Sequence, residues 1–108
     1  MPKYFTAALP IALAVCTAAA FAAADIVVTQ KDKKFSAAKV KVKVGETVAF
    51  RNEDGFFHNI FSLSSAQSFD LGSFPKGELR KVKFVKEGVV EIECAIHPEM
   101  KMTVEVTK

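Results

Sequence analysis

An alternation of apolar and charged residues with a period of two is the feature of this sequence that most constrains its fold. Val40 and Val42 alternate with lysines, and Val90, Ile92 and Cys94 alternate with glutamates. Successive side chains of a β-strand point to opposite faces of a sheet, so this period predicts strands with one buried and one solvated face. The other segments with strand signals are Ile26–Thr29, Thr47–Asn52, Phe57–Leu63, Lys81–Val85 and 101–106.

The number and spacing of these segments predict a fold class. About seven short strands, separated by Gly, Pro, Asp and Asn turn signals, favour an all-β, Greek-key β-sandwich. The sequence shows no internal repeat, and after position 24 it shows no convincing amphipathic helix. The part after position 24 is long enough for one domain with a thin core.

Residues 1–24 resemble a secretory signal peptide. They carry a single charge, are rich in alanine, and place three alanines directly before Asp25 as a cleavage site. An uncleaved membrane anchor would need about 20 strongly apolar residues, and Pro10 interrupts this stretch. A lipid anchor on Cys16 is a further alternative. We therefore predict a cleaved leader, one exported, periplasmic domain over residues 25–108, and no stable membrane insertion after cleavage.

Charge and cysteine content narrow the function of this domain. The formal net charge of the chain is only +3, which argues against nucleic acid as a partner. The lysines over 31–43 fit a solvated strand face, with docking to an acidic redox partner as the alternative. Once Cys16 is removed with the leader, Cys94 has no partner for an internal disulfide. An unpaired thiol in an exported protein is open to oxidation unless it has a function, and metal ligation supplies one.

Cys94 opens a short motif that is rich in metal ligands. His97 and Met100 follow it closely, and His58 lies 36 residues upstream. One thiolate, two imidazoles and a thioether are the donor set of copper electron-transfer sites. Taken alone, Cys94 would be a small buried hydrophobe and His58 a core histidine, but both histidines of the chain belong to this one set. Pro98 stiffens the loop, so that its donors can be held around one point.

Several segments after position 24 also match a known family pattern. They are Phe35–Val40, Val44–Val48, Asn52–Asp54, His58-Asn59, Gly77-Glu78 and Cys94–Met100. Together they resemble the cupredoxins, the small type 1 blue copper proteins that include plastocyanin, amicyanin and pseudoazurin, and most of all the amicyanin-like branch. The resemblance implies that His58, Cys94 and His97 are trigonal copper ligands and that Met100 is a weak axial ligand. It also implies that Asn59 ties the His58 segment to the cysteine loop by a hydrogen bond.

Two loop residues depart from the family pattern. The residue after the cysteine is usually Ser or Thr and is Ala95 here, and the residue before the loop histidine is usually Pro and is Ile96 here. The family's hydroxyl hydrogen bond is therefore absent, and the rigidity of the loop depends more on Pro98. Residues around the ligands tune a metal rather than select it, so these departures affect the reduction potential more than the choice of copper.

The axial ligand has two candidates. Met100 and Met102 both follow His97 at spacings that the family uses. Met102 continues the inward alternation with Val104, so packing alone explains it. Pro98, directly after His97, fits the shorter loop. We therefore predict Met100 as the ligand and Met102 as a core residue.

The ligand set predicts a function. Thiolate and thioether favour Cu(I), imidazole suits both oxidation states, and a fixed site between the two preferences passes single electrons quickly. We predict a monomeric electron carrier with one copper ion, and not an enzyme. Its donor and acceptor would be redox proteins that dock transiently near His97, through the small interfaces that redox encounters use.

Other classes of protein use similar ligands. A periplasmic copper carrier or chaperone that delivers metal rather than electrons is the main alternative. A catalytic pair of Cys94 and His97 is less suited to the sequence, because the spacing serves a shared metal better. An enzyme with an open copper position is a further alternative. A structural zinc site is disfavoured because methionine is a poor zinc donor.

Overall fold

The computed structural model describes residues 25–108, so the predicted leader over residues 1–24 lies outside the described residues. The described residues form nine β-strands and no helix. Within them, no helix is long and apolar enough to span a membrane. The strands are β1 (Ile26–Lys31), β2 (Lys34–Phe35), β3 (Lys39–Lys43), β4 (Thr47–Asn52), β5 (His58–Ser62), β6 (Phe69–Phe74), β7 (Leu79–Lys83), β8 (Gly88–Glu93) and β9 (Lys101–Thr107).

The strands form two mixed sheets. Their orders are β2-β1-β4-β7 and β3-β9-β8-β5-β6. β1 pairs in parallel with β4, β3 pairs in parallel with β9, and the other pairings described are antiparallel. The all-β sandwich predicted from the alternation is confirmed, with nine strands in place of about seven.

One of the two additional strands, β2, is the short second arm of a hairpin with β1. Gln30 of β1 pairs with Phe35 of β2. Asp32 and Lys33 form the turn, with φ angles of 53° and 58°. Two consecutive left-handed residues are typical of a type I′ turn, whose twist matches that of the flanking strands. Lysine does not mark such a turn in a sequence, so the sequence does not predict this hairpin.

The other additional strand, β6, is irregular. Gly72 has a φ of 73°, and the register between β5 and β6 shifts between Asn59 and Phe61. Such a bulge changes which face the following residues occupy. Phe74 is fully buried, although an unbroken alternation from Phe69 would turn it to the outer face. The irregularity breaks the period of two, so the sequence does not predict this strand.

The hydrophobic core lies between the two sheets. The predicted inward set of β8 is confirmed, because Val90, Ile92 and Cys94 are all buried, and so is that of β9, because Met102 and Val104 are buried as well. Full burial of one large apolar side chain stabilises a fold by about 1.5–3 kcal/mol. Both sheets supply such side chains, and these hold the sheets together. The large core residues are Phe50, Phe74, Phe84, Ile60 and Ile92.

Three strands of the larger sheet bring the predicted ligands to one end of the sandwich. β5 begins at His58, and β8 ends at Glu93, directly before Cys94. Phe61 of β5 pairs with Glu93 of β8, and the loop 94–100 joins β8 to β9 in an antiparallel hairpin. The register of one sheet therefore sets the position of His58 relative to the cysteine loop.

Candidate metal centre

The loop from Cys94 to Met100 is closed by its own backbone hydrogen bonds. Met100 N donates to His97 O over 2.9 Å. This is a β-turn with Pro98 in the second position, where proline is favoured. Cys94 N donates to Met100 O over 3.4 Å. The two ends of the loop therefore meet, and His97 is held at the start of a tight turn.

Three of the predicted ligands converge at this end of the molecule. His58 Nδ1 lies 3.7 Å from Cys94 Sγ, and His97 Nδ1 lies 3.8 Å from the same sulfur. The three ligand atoms all lie within 4.8 Å of one another. His58 and Cys94 are buried, whereas His97 is half-buried. One imidazole thus lies inside the protein, and the other reaches its surface.

The spacing of these atoms fits a single metal ion. In zinc sites, metal bonds to cysteine sulfur and histidine nitrogen are about 2.3 Å and 2.0 Å long, so at angles of about 110–120° two such donors lie about 3.5–3.7 Å apart. The observed separations from Cys94 Sγ, 3.7 Å and 3.8 Å, require almost no rearrangement. One soft thiolate beside two imidazoles is a donor set that suits copper.

A buried carboxylate lies behind His58. Asp54 Oδ2 is 2.7 Å from His58 Nε2, and the side chains of Asp54 and His58 are 7% and 0% exposed. A carboxylate only accepts hydrogen bonds, so Nε2–H donates to it. In the neutral ring, Nδ1 then carries no proton, and its lone pair faces Cys94 as a metal ligand requires.

The Asp54 carboxylate accepts two further hydrogen bonds, both from the β1–β2 turn. Asp32 N donates to Oδ1 over 2.7 Å, and Lys33 N donates to Oδ2 over 3.1 Å. The pKa of Asp54 lies below its ordinary value. Burial alone raises this pKa, but the hydrogen bonds from His58 and from the two turn amides, together with the charge of protonated His58, outweigh burial. Asp54 is therefore ionised at neutral pH.

Asn52, at the end of β4, shapes the segment that leads to Asp54 and His58. Its Nδ2 donates to Phe56 O over 2.8 Å and to Phe74 O over 3.0 Å, and its Oδ1 accepts from Asp54 N over 2.8 Å. Asn52 and Asp54 lie in a segment that resembles the family, but the sequence pattern predicts a role for neither residue. Outside regular strands, spacing along the chain says little about where a side chain points, so the Asp54–His58 contact leaves no clear signal.

Asn59 connects the histidine strand to the cysteine loop. Its Oδ1 accepts a hydrogen bond from Ala95 N over 2.6 Å, which confirms the predicted tie. The donor is a backbone amide, so the bond does not need the hydroxyl group that position 95 lacks.

The two methionines lie in different surroundings. Met100 is 2% exposed and Met102 is 3% exposed. Met102 belongs to the apolar cluster between the sheets, which confirms its prediction as a core residue, whereas Met100 does not belong to that cluster. Instead, Met100 closes the turn that begins at His97. Packing between the sheets therefore explains the burial of Met102 and does not explain that of Met100.

Aromatic and aliphatic side chains surround the half-buried histidine. The ring centroid of Phe56 lies 5.1 Å from that of His58 and 5.3 Å from that of His97. The two imidazole centroids are 4.9 Å apart. Four exposed apolar residues larger than alanine lie within two positions of a predicted ligand histidine, and we call this set the apolar rim. It consists of Phe56, Phe57, Ile96 and Pro98.

A comparison with protein families finds one match. The family described as copper binding proteins, plastocyanin/azurin family, matches residues 22–107 of this chain. No curated protein sequence matches the chain significantly.

Solved structures with a similar fold include three kinds of copper protein. A reduced amicyanin variant is 27% identical with a TM-score of 0.72, over 82% of this chain and 88% of amicyanin. A purple cupredoxin from Nitrosopumilus maritimus is 25% identical with a TM-score of 0.69, over 77% of this chain and 100% of that protein. A copper-containing nitrite reductase from Thermus scotoductus SA-01 is 26% identical with a TM-score of 0.73, over 79% of this chain but only 23% of the reductase.

Proposed function

The chain belongs to the plastocyanin/azurin family of copper-binding proteins, and we propose that it is a type 1 copper protein that shuttles single electrons between redox partners. Its fold is that of a cupredoxin, and copper, the predicted cofactor, is the metal of its family. When bound, copper supplies a one-electron Cu(I)/Cu(II) couple. His58, Cys94 and His97 form the potential copper site.

The convergence of these three donors on rigid elements is the observation that carries the proposal. His58 is the first residue of β5, and Cys94 follows directly on β8. Both side chains are buried, and Asn59 fixes the strand to the loop. Donors held in this way move little when the charge of the metal changes, which favours rapid transfer of single electrons.

We assign Met100 as the fourth, axial ligand. Its burial in the cysteine loop, away from the core cluster, supports this assignment. A thioether is a weak ligand in the blue-copper geometry, where it tunes the potential without dominating the site. Met102 packs in the hydrophobic core and is not a proposed ligand.

Electrons would enter and leave through His97. This imidazole is half-buried, and the apolar rim around it includes Phe56 and Ile96, which are 42% and 51% exposed. Small apolar surfaces suit short-lived complexes, since redox encounters bury little area. The proposed partners are therefore a donor and an acceptor protein that dock in turn on this surface of a monomer.

A copper carrier that delivers metal remains the second candidate, because it could use the same ligands. Delivery requires a site that exchanges its metal readily, and the burial of His58 and Cys94 opposes exchange. An enzymatic role has less support. The likeness to nitrite reductase extends over only 23% of that enzyme, and the pair of Asp54 and His58 is too deeply buried to act on a substrate.

The proposed location is the periplasm. Residues 1–24 have the composition of a secretory signal peptide, with a small-residue cleavage site directly before Asp25. Sequencing the N-terminus of the protein recovered from the periplasmic fraction tests this assignment, and we expect it to start at Asp25. Recovery of the uncleaved chain in the membrane fraction would contradict it.

The visible spectrum of the Cu(II)-loaded protein tests the proposed function directly. We expect an intense thiolate-to-copper band that disappears on reduction and returns on oxidation over many one-electron cycles. The reduced protein should also keep Cu(I) in the presence of a competing chelator. Absence of the band would contradict the proposed function, and rapid loss of Cu(I) to the chelator would instead favour delivery of the metal.

A further inference from the structure

The Asp54 carboxylate touches a proposed copper ligand but is not itself one of the ligands. We propose that Asp54 is a positioning residue of the copper centre, which holds the His58 ring with Nδ1 toward the metal and favours Cu(II) over Cu(I). The inference rests on the proposed copper site and adds a determinant of its reduction potential. Two independent properties of Asp54 support it, its rigid placement and its uncompensated charge.

The placement of the carboxylate is fixed from several sides. Its two oxygens accept hydrogen bonds from the backbone amides of Asp32 and Lys33, and the Asp54 amide is itself bonded to Asn52 Oδ1. The bond to His58 Nε2, at 2.7 Å, therefore starts from a carboxylate that cannot turn freely. This hydrogen bond selects one of the two neutral forms of the His58 imidazole and one orientation of the ring. The Nδ1 atom is therefore oriented for copper before the metal binds.

The charge of Asp54 is buried without a cationic side chain beside it. Its side chain is 7% exposed, and among the described residues no lysine or arginine forms an ion pair with it. Its two oxygens accept hydrogen bonds from three N–H groups, and such bonds favour the ionised carboxylate. A charge in such surroundings acts more strongly than it would in water.

The sign of the effect follows from the charge of the site. Cu(I) bound to one thiolate and neutral imidazoles carries no net charge, whereas Cu(II) carries one positive charge. A carboxylate on the far side of the His58 ring attracts the oxidised form and leaves the energy of the reduced form nearly unchanged. Asp54 therefore lowers the reduction potential, and it also makes the imidazole a better donor through the Nε2–H bond.

The test compares Asp54→Asn with Glu53→Gln. Both changes remove one negative charge, but of these two side chains only that of Asp54 is hydrogen-bonded to His58 among the described residues. For Asp54→Asn we expect a loss of about 10–100-fold in Cu(II) affinity with a smaller loss for Cu(I). A tenfold loss confined to Cu(II) corresponds to a rise of about 59 mV in the reduction potential. Glu53→Gln should change both quantities much less.

Two outcomes would overturn the inference while leaving the proposed function intact. One is a blue, redox-active Asp54→Asn protein whose potential shifts no more than that of Glu53→Gln. The other concerns the unaltered protein loaded with Cu(I), where NMR should detect a slowly exchanging His58 Nε2–H proton. Absence of this proton would show that His58 does not donate the proposed hydrogen bond to Asp54. The NMR measurement uses the unaltered protein, so it tests the inference even when the Asp54→Asn variant does not fold. Failure of the unaltered protein to turn blue would instead reject the proposed function.

Discussion

The ring of Phe56 packs against the ring of His97 at a tilt of 55°, with their centroids 5.3 Å apart, and the same ring lies 5.1 Å from that of His58. One side chain therefore covers part of both imidazoles of the proposed copper site. Lys33 Nζ lies 5.9 Å from the Phe56 centroid, so a cation lies beside this ring.

Removing the Phe56 ring should lower the reduction potential. In Phe56→Ala, water reaches the imidazoles and stabilises Cu(II), which carries more charge than Cu(I). Phe57→Ala is the matched control, because Phe57 is 56% exposed and none of the aromatic contacts of the described residues joins it to either histidine. Voltammetry of the two variants should show the larger drop for Phe56→Ala, and equal drops would contradict the shielding role.

Cys94→Ser should abolish the intense visible band. A serine hydroxyl cannot supply the sulfur-to-copper charge transfer, and it is a poorer match for copper than a thiolate. The exchange adds one hydroxyl group at a buried position, so we expect a loss of about 1–3 kcal/mol in the free energy of unfolding of the metal-free protein. Spectra recorded after copper addition check the assignment. A band of undiminished intensity would exclude Cys94 as the ligand.

Paired substitutions distinguish the two methionines. Met100→Gln should alter the spectrum and lower the potential, since an oxygen donor favours Cu(II). Met102→Leu should leave the potential nearly unchanged and cost less than about 1.5 kcal/mol of stability, because it is a near-isosteric change within the core. Voltammetry and chemical unfolding of both variants provide the two readouts. A larger potential shift in Met102→Leu would reverse the assignment.

Asn59→Ala should loosen the cysteine loop. The change removes the 2.6 Å hydrogen bond from Ala95 N, and a typical hydrogen bond contributes about 0.5–1.5 kcal/mol to stability. We expect a loss of that size on unfolding of the metal-free protein and faster release of copper to a chelator. Asn59→Asp keeps an oxygen acceptor and should retain the slower release. Release at the same rate from both variants would show that this bond does not restrain the loop.

Ile96→Ser should slow electron exchange between oxidised and reduced copies of the protein. Ile96 is 51% exposed within the apolar rim, where two molecules would meet in the proposed complex. Leu63→Ser removes a more exposed apolar residue, 78% exposed, from the segment that follows β5, away from the rim. NMR line broadening in mixtures of the two oxidation states measures the rate. If Leu63→Ser reduced this rate as strongly, the proposed docking surface would be wrong.

The fold class and three converging donors could be predicted because they depend on regular patterns and rare residue types. The alternation in β8 places Cys94 on the buried face, which the structure confirms. The two histidines of the chain leave little choice of imidazole ligand. The hydrogen bond of Asn59 was predicted from the resemblance of the pair His58-Asn59 to the family. It is present although Ala95 lacks the usual hydroxyl group.

The features that escaped prediction depend on backbone angles that a sequence does not display. The β1–β2 hairpin needs left-handed backbone angles at Asp32 and Lys33, and lysine is not a residue from which that conformation is predicted. The bulge at Gly72 breaks the alternation on which the recognition of a strand depends. The position of Asp54 behind His58 depends on the hairpin, which supplies the two backbone amides that hold the carboxylate.

The pairing of distant segments also affects when the site can form. β3 lies in parallel beside β9, with Val40 opposite Val104, and β5 meets β8 where Phe61 faces Glu93. Contacts between residues far apart in sequence slow folding, and β-sandwiches fold in about milliseconds to seconds. The proposed copper ligands His58 and Cys94 lie at the ends of strands joined by such distant contacts. We therefore expect the protein to bind copper only after the chain has folded. Added copper should then slow the unfolding of the protein without accelerating its refolding.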